Sequence, residues 1–311
     1  MRILAGDVGG TKTLLRCVEP DGSVSREERY ESGAYATFDD LLREFADHLP
    51  GEVDVACLAV AGPVYAGGAE ITNLGWNIAE RALRDTFRIG RVSLINDFYA
   101  IALGVPLLGE QDLFSLHAGR RDAAAPIGIL GAGTGLGEAI VVPYGGRYHV
   151  VPSEGGHQDF APQDEEQTRL FLELHARYGH VSWERLVSGM GLVNIFTFLG
   201  GEELPPAEIA ELAEKEDPRA VHTFEIFVDL YGAEAGNMAL RVLARGGVFL
   251  AGGIAAKNVR WFTDGRFVEA FLRKGRFRDL METIPVDLIV NEEVGLIGAV
   301  EGARRAMKNE R

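Results

Sequence analysis

Two glycine clusters, a polar pair at the end of an apolar run and one five-residue polar turn carry most of the chemistry legible in this chain of 311 residues. The first cluster, GDVGGTKT (6–13), comes within one residue of the GxxxxGK[ST] phosphate loop, with Thr11 where the second glycine should stand and Lys12 and Thr13 following. Such a loop must open a helix, whose positive end joins the backbone N–H nest in holding phosphate. Here the chain instead runs through Leu14, Leu15 and Val18 to Pro20-Asp21-Gly22 and then a second short run. That pattern predicts a β-hairpin tip, at which Gly9 and Gly10 let backbone N–H groups approach an anion; the plain alternative is an ordinary Gly-Gly turn. The second cluster, GAGTGLG (131–137), fails the GxGxxG fingerprint because the third glycine falls on Leu136 or Glu138. The strand-like Glu138–Pro143 follows it, so Gly133-Thr134-Gly135 is expected to tip a second hairpin. Taken together, two such tips suit the β- and γ-phosphates of one nucleotide.

The elements that must position these groups alternate strand and helix, which predicts a mixed α/β fold. Phe38, Leu41, Leu42, Phe45 and Leu49 recur at helical spacing and stop at Pro50-Gly51. VDVACLAVAG (53–62) is nearly all apolar, as a strand covered on both faces would be. RVSLINDF (91–98) is a similar strand that ends on Asn96 and Asp97, and carboxyl ends of strands in open α/β sheets face the ligand. Helices are expected in FYAIALGV, in most of residues 165–245 including WERLVSGMGLVNIF, and in VGLIGAVEGARRAM (294–307); PIGILGAG (126–133) and GGVFLAGG (246–253) are expected strands.

Composition narrows the class. An apolar fraction of 47% in 311 residues supports one large or two medium cores. A formal charge of −15 (31 basic against 46 acidic residues) argues against nucleic acid and anionic membrane as partners, both of which require basic surface. No apolar run reaches a membrane-spanning length and the chain opens on a strand rather than a signal peptide, so a cytoplasmic location is expected. Cys17 and Cys57 lie in apolar strand-like runs and read as small buried hydrophobes rather than a disulfide or a zinc site.

Two glycine hairpins in one α/β chain resemble the sugar kinase, actin and Hsp70 superfamily, in which two related halves each supply a phosphate hairpin. LAGDVGGTKT, INDFYAIALG, GAGTGLGEA, EGGHQDFAP, ERLVSGMGLVNI, FLAGGIAAKN and GLIGAVEGA occur in the order and spacing of bacterial glucokinases and span nearly the whole chain. The resemblance implies a two-lobed, ribonuclease H-like fold with an interlobe cleft. Its lobes would be residues 1–97 plus 294–311 and residues 98–293. It further implies ATP-dependent phosphorylation of the C6 hydroxyl of glucose at the entry to glycolysis, with Mg2+, in a homodimer.

In that family the Asp of the ND pair is the base, which places on Asp97 the task of accepting the hydroxyl proton as the bond to phosphorus forms. The competing reading is an Asp that caps the next helix. Sugar hydroxyls both donate and accept, and Glu154 and His157 of SEGGH meet that need, with Gly155-Gly156 letting the backbone pass close by. Resemblance adds Asn96 and Glu184 as sugar contacts, although a Glu beside Arg185 also reads as a solvated helix face. On the nucleotide side, Asp7 would hold Mg2+ directly or through water. Gly9, Gly10, Thr11, Gly133, Thr134 and Gly135 would line the phosphates, and Gly252-Gly253 matches the adenosine turn. Lys12, where many members have Asn, reaches a phosphate or points to solvent. Related kinases that share GGTK carry a cysteine-rich zinc motif, and no cysteine follows Cys57 here. Other hexoses and amino sugars remain alternative acceptors. A non-catalytic sugar sensor is the alternative of a different class: repressors of that superfamily carry a DNA-binding helix-turn-helix ahead of the first hairpin, where this chain has five residues, and a sensor would tolerate loss of Asp97.

Binding-driven closure of the lobes is a further implication, since it would exclude water and limit wasteful ATP hydrolysis. Small-angle scattering should record a smaller radius of gyration at saturating glucose; an unchanged radius would remove closure from the account.

Overall fold

The computed structural model describes residues 1–308. By packing, the chain divides into two compact units, Met1–Leu108 with Asn291–Arg311, and Gly109–Val290.

The first unit is built on a five-stranded sheet. β1 (Ile3–Val8), β2 (Lys12–Val18) and β3 (Val24–Glu31) form an antiparallel meander, and α1 (Phe38–Ala46) leads into β4 (Val55–Val60), which pairs parallel with β1. A small antiparallel sheet follows, made of β5 (Val64–Tyr65), β6 (Gly68–Ile71) and β7 (Trp76–Ala79), and then α2 (Glu80–Phe87). β8 (Arg91–Asn96) completes the main sheet in the order β3-β2-β1-β4-β8, and α3 (Asp97–Gly104) leaves from its end. All six residues of β4 are buried, as the unbroken apolar run predicts. Ala56, Leu58 and Val60 pack on the face that carries Phe38, Leu41 and Phe45 of α1, whereas Val55, Cys57 and Ala59 pack with Leu296 and Ala299 of the C-terminal helix Val294–Met307. Cys17 and Cys57 are free and buried.

α1 is capped by Thr37, whose side chain accepts from the Asp40 N–H, and it ends at Ala46. The expected stretch to Leu49 instead tightens into turns (His48 N to Phe45 O, Leu49 N to Ala46 O) ahead of Pro50, which disfavours helix in the residue before it. The C-terminal helix has the predicted bounds, and it crosses α3 without intervening side chains. A Cβ on Gly298 would stand 1.7 Å from the Ala100 carbonyl oxygen, and one on Gly104 would stand 2.3 Å from that of Val294. This contact ties α3 to the first unit. The division therefore falls after Leu108 and after Val290 rather than at the expected 97/98 and 293/294, and residues 309–311 of the expected small lobe lie outside the described residues.

The second unit repeats the plan. β9 (Leu113–His117) is followed by the meander β10 (Ile127–Ala132), β11 (Leu136–Tyr144) and β12 (Arg147–Ser153). Four helices come next: α4 (Glu165–Tyr178), α5 (Gly189–Phe198), α6 (Pro206–Glu214) and the 25-residue α7 (Pro218–Val242). β13 (Val248–Ala251), the short helices α8 (Gly253–Lys257), α9 (Arg266–Leu272) and α10 (Arg278–Met281), and β14 (Val286–Ile289) close the unit. Strand order is β12-β11-β10-β13-β14-β9, with β10, β13 and β14 parallel. Apart from the added β9, this is the order and sense of the first sheet, so the β10–β11 hairpin occupies the place that β1–β2 holds in the other copy. The helices bury an aromatic core that includes Phe224, Phe227, Tyr231, Phe262, Phe267 and Phe271.

The α3 crossing generates a test. Gly298→Ala forces backbone apart where no flexible side chain can yield, so it should lower the unfolding free energy by about 1–3 kcal/mol or more in urea titrations; wild-type stability in this variant would show that the crossing is loose.

Candidate active site

In the first unit the hairpin tip Gly9–Thr11 is closed by the Gly9 N–H donating to the Lys12 carbonyl at 3.0 Å. Ser32, fully buried just beyond β3, straps it: its N–H donates to the Thr11 carbonyl (2.9 Å), and its Oγ donates to the Gly9 carbonyl (2.7 Å) and lies 3.0 Å from Thr13 Oγ1. Asn73, in the turn between β6 and β7, leans on the tip so closely that a Cβ on Gly10 would come within 2.7 Å of its Nδ2. Thr11 and Lys12 are exposed. Neither Ser32 nor Asn73 is marked by any motif, because each acts through a contact with residues far along the chain.

Two residues before the tip, Asp7 is half-buried at the end of β1, with its Oδ2 3.2 Å from the Cβ position of Gly295. Burial, and then the nearby Asp97 carboxyl, push its pKa up to about 6, against a smaller opposing pull from Arg29. Asp97 stands at the first turn of α3, and burial raises its pKa as well, although the Phe98 N–H and the Asn96 amide partly stabilise the charge. The helix cap is Asn96, not Asp97: Asn96 Oδ1 accepts from the Phe98 and Tyr99 N–H groups at 3.0 and 3.1 Å. Asn96 Nδ2 donates to the Gly62 carbonyl (3.1 Å) and to Asp97 Oδ1 (2.9 Å), which also accepts from the Phe98 N–H (2.8 Å). Both bonds to Asp97 fall on Oδ1, so Oδ2 is the oxygen suited to take a proton.

The second unit gathers the remaining groups. At the tip Gly133–Gly135 the Gly133 N–H donates to the Gly135 carbonyl (2.8 Å), and the Gly133 carbonyl accepts from the Gly189 N–H at the start of α5 (2.8 Å). The expected helix over 183–196 is broken. Trp183–Arg185 form a single 3₁₀ turn, and Ser188 caps α5 by accepting from the Gly191 N–H while donating to the Glu184 carbonyl. The break turns Glu184 away from a solvated helix face and onto the hairpin, where its Oε2 accepts from the Leu136 N–H at 3.0 Å. Its Oε1 lies 3.8 Å from His157 Nδ1, and His157 Nε2 lies 3.8 Å from Glu154 Oε2. Glu154, His157 and Glu184 thus form one cluster, graded from 93% to 59% to 22% side-chain exposure, as a row of ligands reaching from solvent toward a binding floor would be.

Gly252 follows β13 with φ +90°, and a Cβ there would press to 2.4 Å from the Ala132 carbonyl oxygen. The Gly252-Gly253 turn and the Gly133–Gly135 tip therefore leave side by side from paired parallel strands, where Gly131 faces Ala251. Tyr231 of α7, fully buried, holds these ends: its hydroxyl accepts from the Ala132 N–H (3.2 Å) and reaches the Leu130 and Ala251 carbonyls (3.4 and 3.5 Å).

Among the described residues no group of three or more His, Cys, Asp or Glu side chains could hold a metal by itself. A magnesium ion that takes one or two carboxylates and completes its shell with water and phosphate oxygens fits Asp7, whose pKa is pushed up by burial and then by the Asp97 carboxyl, an effect that a bound cation would offset.

A duplicated α/β unit with a glycine hairpin at the same strand junction in each copy, and an Asn-Asp pair at a strand end in one of them, defines the sugar kinase class of the actin and Hsp70 superfamily. The glucokinase family model matches residues 4–306. The glucokinase of Trichormus variabilis is 42% identical over 97% of this chain and 99% of its own length. A glucokinase crystal structure from an Antarctic psychrotroph superposes with a TM-score of 0.89 at 30% identity, covering 98% of this chain and 99% of that one. The glucose complex of Balamuthia mandrillaris glucokinase shares the fold, with a TM-score of 0.82 at 22% identity over 97% and 93% of the two chains. The chain belongs to the glucokinase family, and its fold is the two-lobed α/β class that the paired hairpins predicted.

The Asp7 environment has a measurable cost. A carboxyl whose folded pKa is raised stabilises the fold while protonated and loses that contribution as pH rises through the folded value. Asp7→Asn should therefore unfold up to about 3 kcal/mol later than wild type at pH 8 without ligand or divalent cation. The advantage should shrink as pH falls from 6 to 4; equal stabilities at pH 8 would mean that Asp7 is well hydrated.

Proposed function

We propose that this chain transfers the γ-phosphoryl group of ATP to the C6 hydroxyl of glucose, giving glucose 6-phosphate and ADP. The observation that carries the reading is the Asn96–Asp97 pair, a carboxylate fixed through one oxygen at the end of a half-buried strand with its other oxygen suited to accept a proton. Asp97 takes the O6 proton as O6 bonds to the γ-phosphorus, the bond from that phosphorus to the bridging oxygen breaks, and ADP carries away the electron pair. Asn96 acts by orienting Asp97, since both hydrogens of its amide are engaged.

Glu154, His157 and Glu184 contact the sugar hydroxyls and thereby exclude acceptors that lack them. The N–H groups of Gly9–Thr11 and Gly133–Gly135, together with the Thr134 hydroxyl, receive the phosphates, Gly252-Gly253 receives the adenosine, and Lys12 lies within the phosphate region. Mg2+, held through Asp7, would neutralise charge on the phosphates. Glycolytic entry, a cytoplasmic location and a homodimer complete the proposal. It is supported by family membership and by the fact that no helix among the described residues is long and apolar enough to cross a membrane.

Coupled ATP consumption should depend on glucose and fall by about 10²- to 10⁴-fold in Asp97→Asn with glucose binding retained. The acid limb of kcat/KM should lie above the ordinary aspartate range, because Asp97 must lose a proton that burial helps it keep. Turnover on mannose, glucosamine or an N-acetylated amino sugar in place of glucose would transfer the chain to a sibling specificity, and glucose binding without turnover would make it a sensor.

A further inference from the structure

Beneath the loop that carries Glu154 and His157 lies a buried ionic cluster that the reaction does not use. Glu138 projects from β11 at the position paired with Ser153 of β12, and its side chain has no exposed surface. Its Oε2 accepts from Arg241 Nη1 at 3.2 Å, and Arg241 Nη2 lies 2.7 Å from Oε1 of Glu234, equally buried on α7. Asn237 Nδ2 donates to the other Glu234 oxygen at 2.8 Å, and Lys274 Nζ, beyond α9, donates to Asn237 Oδ1 at 2.7 Å. Such a cluster costs desolvation that an apolar core would avoid, so its retention calls for a geometric reason.

That reason lies on its upper side. The chain turns from β12 into the loop with the Gly155 N–H donating to Ser153 Oγ at 3.0 Å, and Gly155 then rests directly on Glu138: a Cβ there would stand 1.8 Å from Glu138 Oε2. Apolar side chains would fill the same volume without setting a height, whereas a carboxyl gripped by a guanidinium from another helix is fixed along the direction of the grip. We propose that Glu138 is a positioning residue for sugar recognition: its carboxyl, anchored by Arg241 and Glu234, is the seat that sets the height of the Gly155–Gly156 turn and hence the reach of Glu154 and His157. The inference rests on the reading of those two side chains as sugar ligands. Burial, and then the charge of Glu234, raise the Glu138 pKa, so an amide of the same length is a close substitute for the neutral acid.

Length and charge are separated by two variants. Glu138→Gln keeps the reach of the seat and should hold KM for glucose within about threefold of wild type. Glu138→Asp keeps the acid but withdraws it by one methylene and should raise KM for glucose about tenfold or more, with KM for ATP within about twofold. Gly155→Ala, which collides with the carboxyl, should raise KM for glucose by a similar or larger factor. In the double variant Glu138→Asp/Gly155→Ala the retracted acid makes room for the added methyl, so the rise should fall short of the product of the two single effects.

An unchanged glucose KM in folded Glu138→Asp, equal rises for glucose and ATP, or purely multiplicative effects in the double variant would overturn the proposal. Should Glu138→Asp fail to fold, Gly155→Ala decides alone, because a wild-type glucose KM there leaves the seat without function. Glu154→Ala and His157→Ala are the controls. If neither raises KM for glucose, the sugar-ligand reading fails; if both do and the Glu138 and Gly155 variants do not, only the seat fails.

Discussion

Each unit buries the central strands of its sheet on both faces, and this constraint bears on where chemistry can occur. A strand such as β4, with every residue buried, has no place along its length for an unpaired polar side chain, because each would cost several kcal/mol away from water. The groups placed at the candidate site accordingly stand at strand ends and in the turns that leave them, whereas a polar side chain buried along a strand, such as Glu138 or Asp287, is held by an arginine. Asp7, Asn96 and Asp97 stand at such ends in the first sheet, and the tips at Gly133 and Gly252 leave the matching ends in the second. Tyr231 shows what the confinement requires, since backbone groups at the ends of β10 and β13 are satisfied by a hydroxyl brought from a helix.

The acidic groups mark a second division of labour. Asp7 and Asp97 are raised in pKa by burial near one another, as groups awaiting a cation or a proton would be. Glu138 and Glu234 are raised for the same reason but are held by Arg241 and Asn237. These four carboxyls are thus of two kinds: a pair poised at strand ends, and a pair whose partners are supplied from within the fold.

Much of this was legible in the residues alone. The two hairpins, the doubly covered strand at 53–62 and the C-terminal helix follow from patterns that are local in sequence, such as apolar period, turn chemistry and glycine at tips. The position of Asp97 at the end of a strand was legible too, because a strand end is a local feature. The failures share a different cause. Ser188 interrupts the apolar period of 183–196, and only the three-dimensional demand of the Gly133 tip explains why Glu184 is turned toward it. The strap at Ser32 and the grip of Arg241 on Glu138 depend on contacts across 19 and 103 positions of the chain, which no spacing rule reports. Asn96 ends the strand as expected, but its engagement by Gly62 and the start of α3 was invisible because a side-chain amide carries no mark of which partner it will find.

The return of the C-terminal helix to the first sheet also bears on how the chain is made. Ile3, Ala5, Val55, Cys57 and Ala59 form an apolar face whose cover, Leu296, Ala299 and Ala303, is translated only after the whole second unit. At ribosomal rates of about 5–20 residues per second, the interval between completing α3 and completing its partner is roughly ten to forty seconds. For that time the first unit is an uncovered half-sandwich, while the second can close on residues that are all contiguous in synthesis. The nascent protein should thus complete the core of its second unit before this one face of the first sheet is covered, and the small residues on the waiting face present less adhesive surface than larger apolar side chains would.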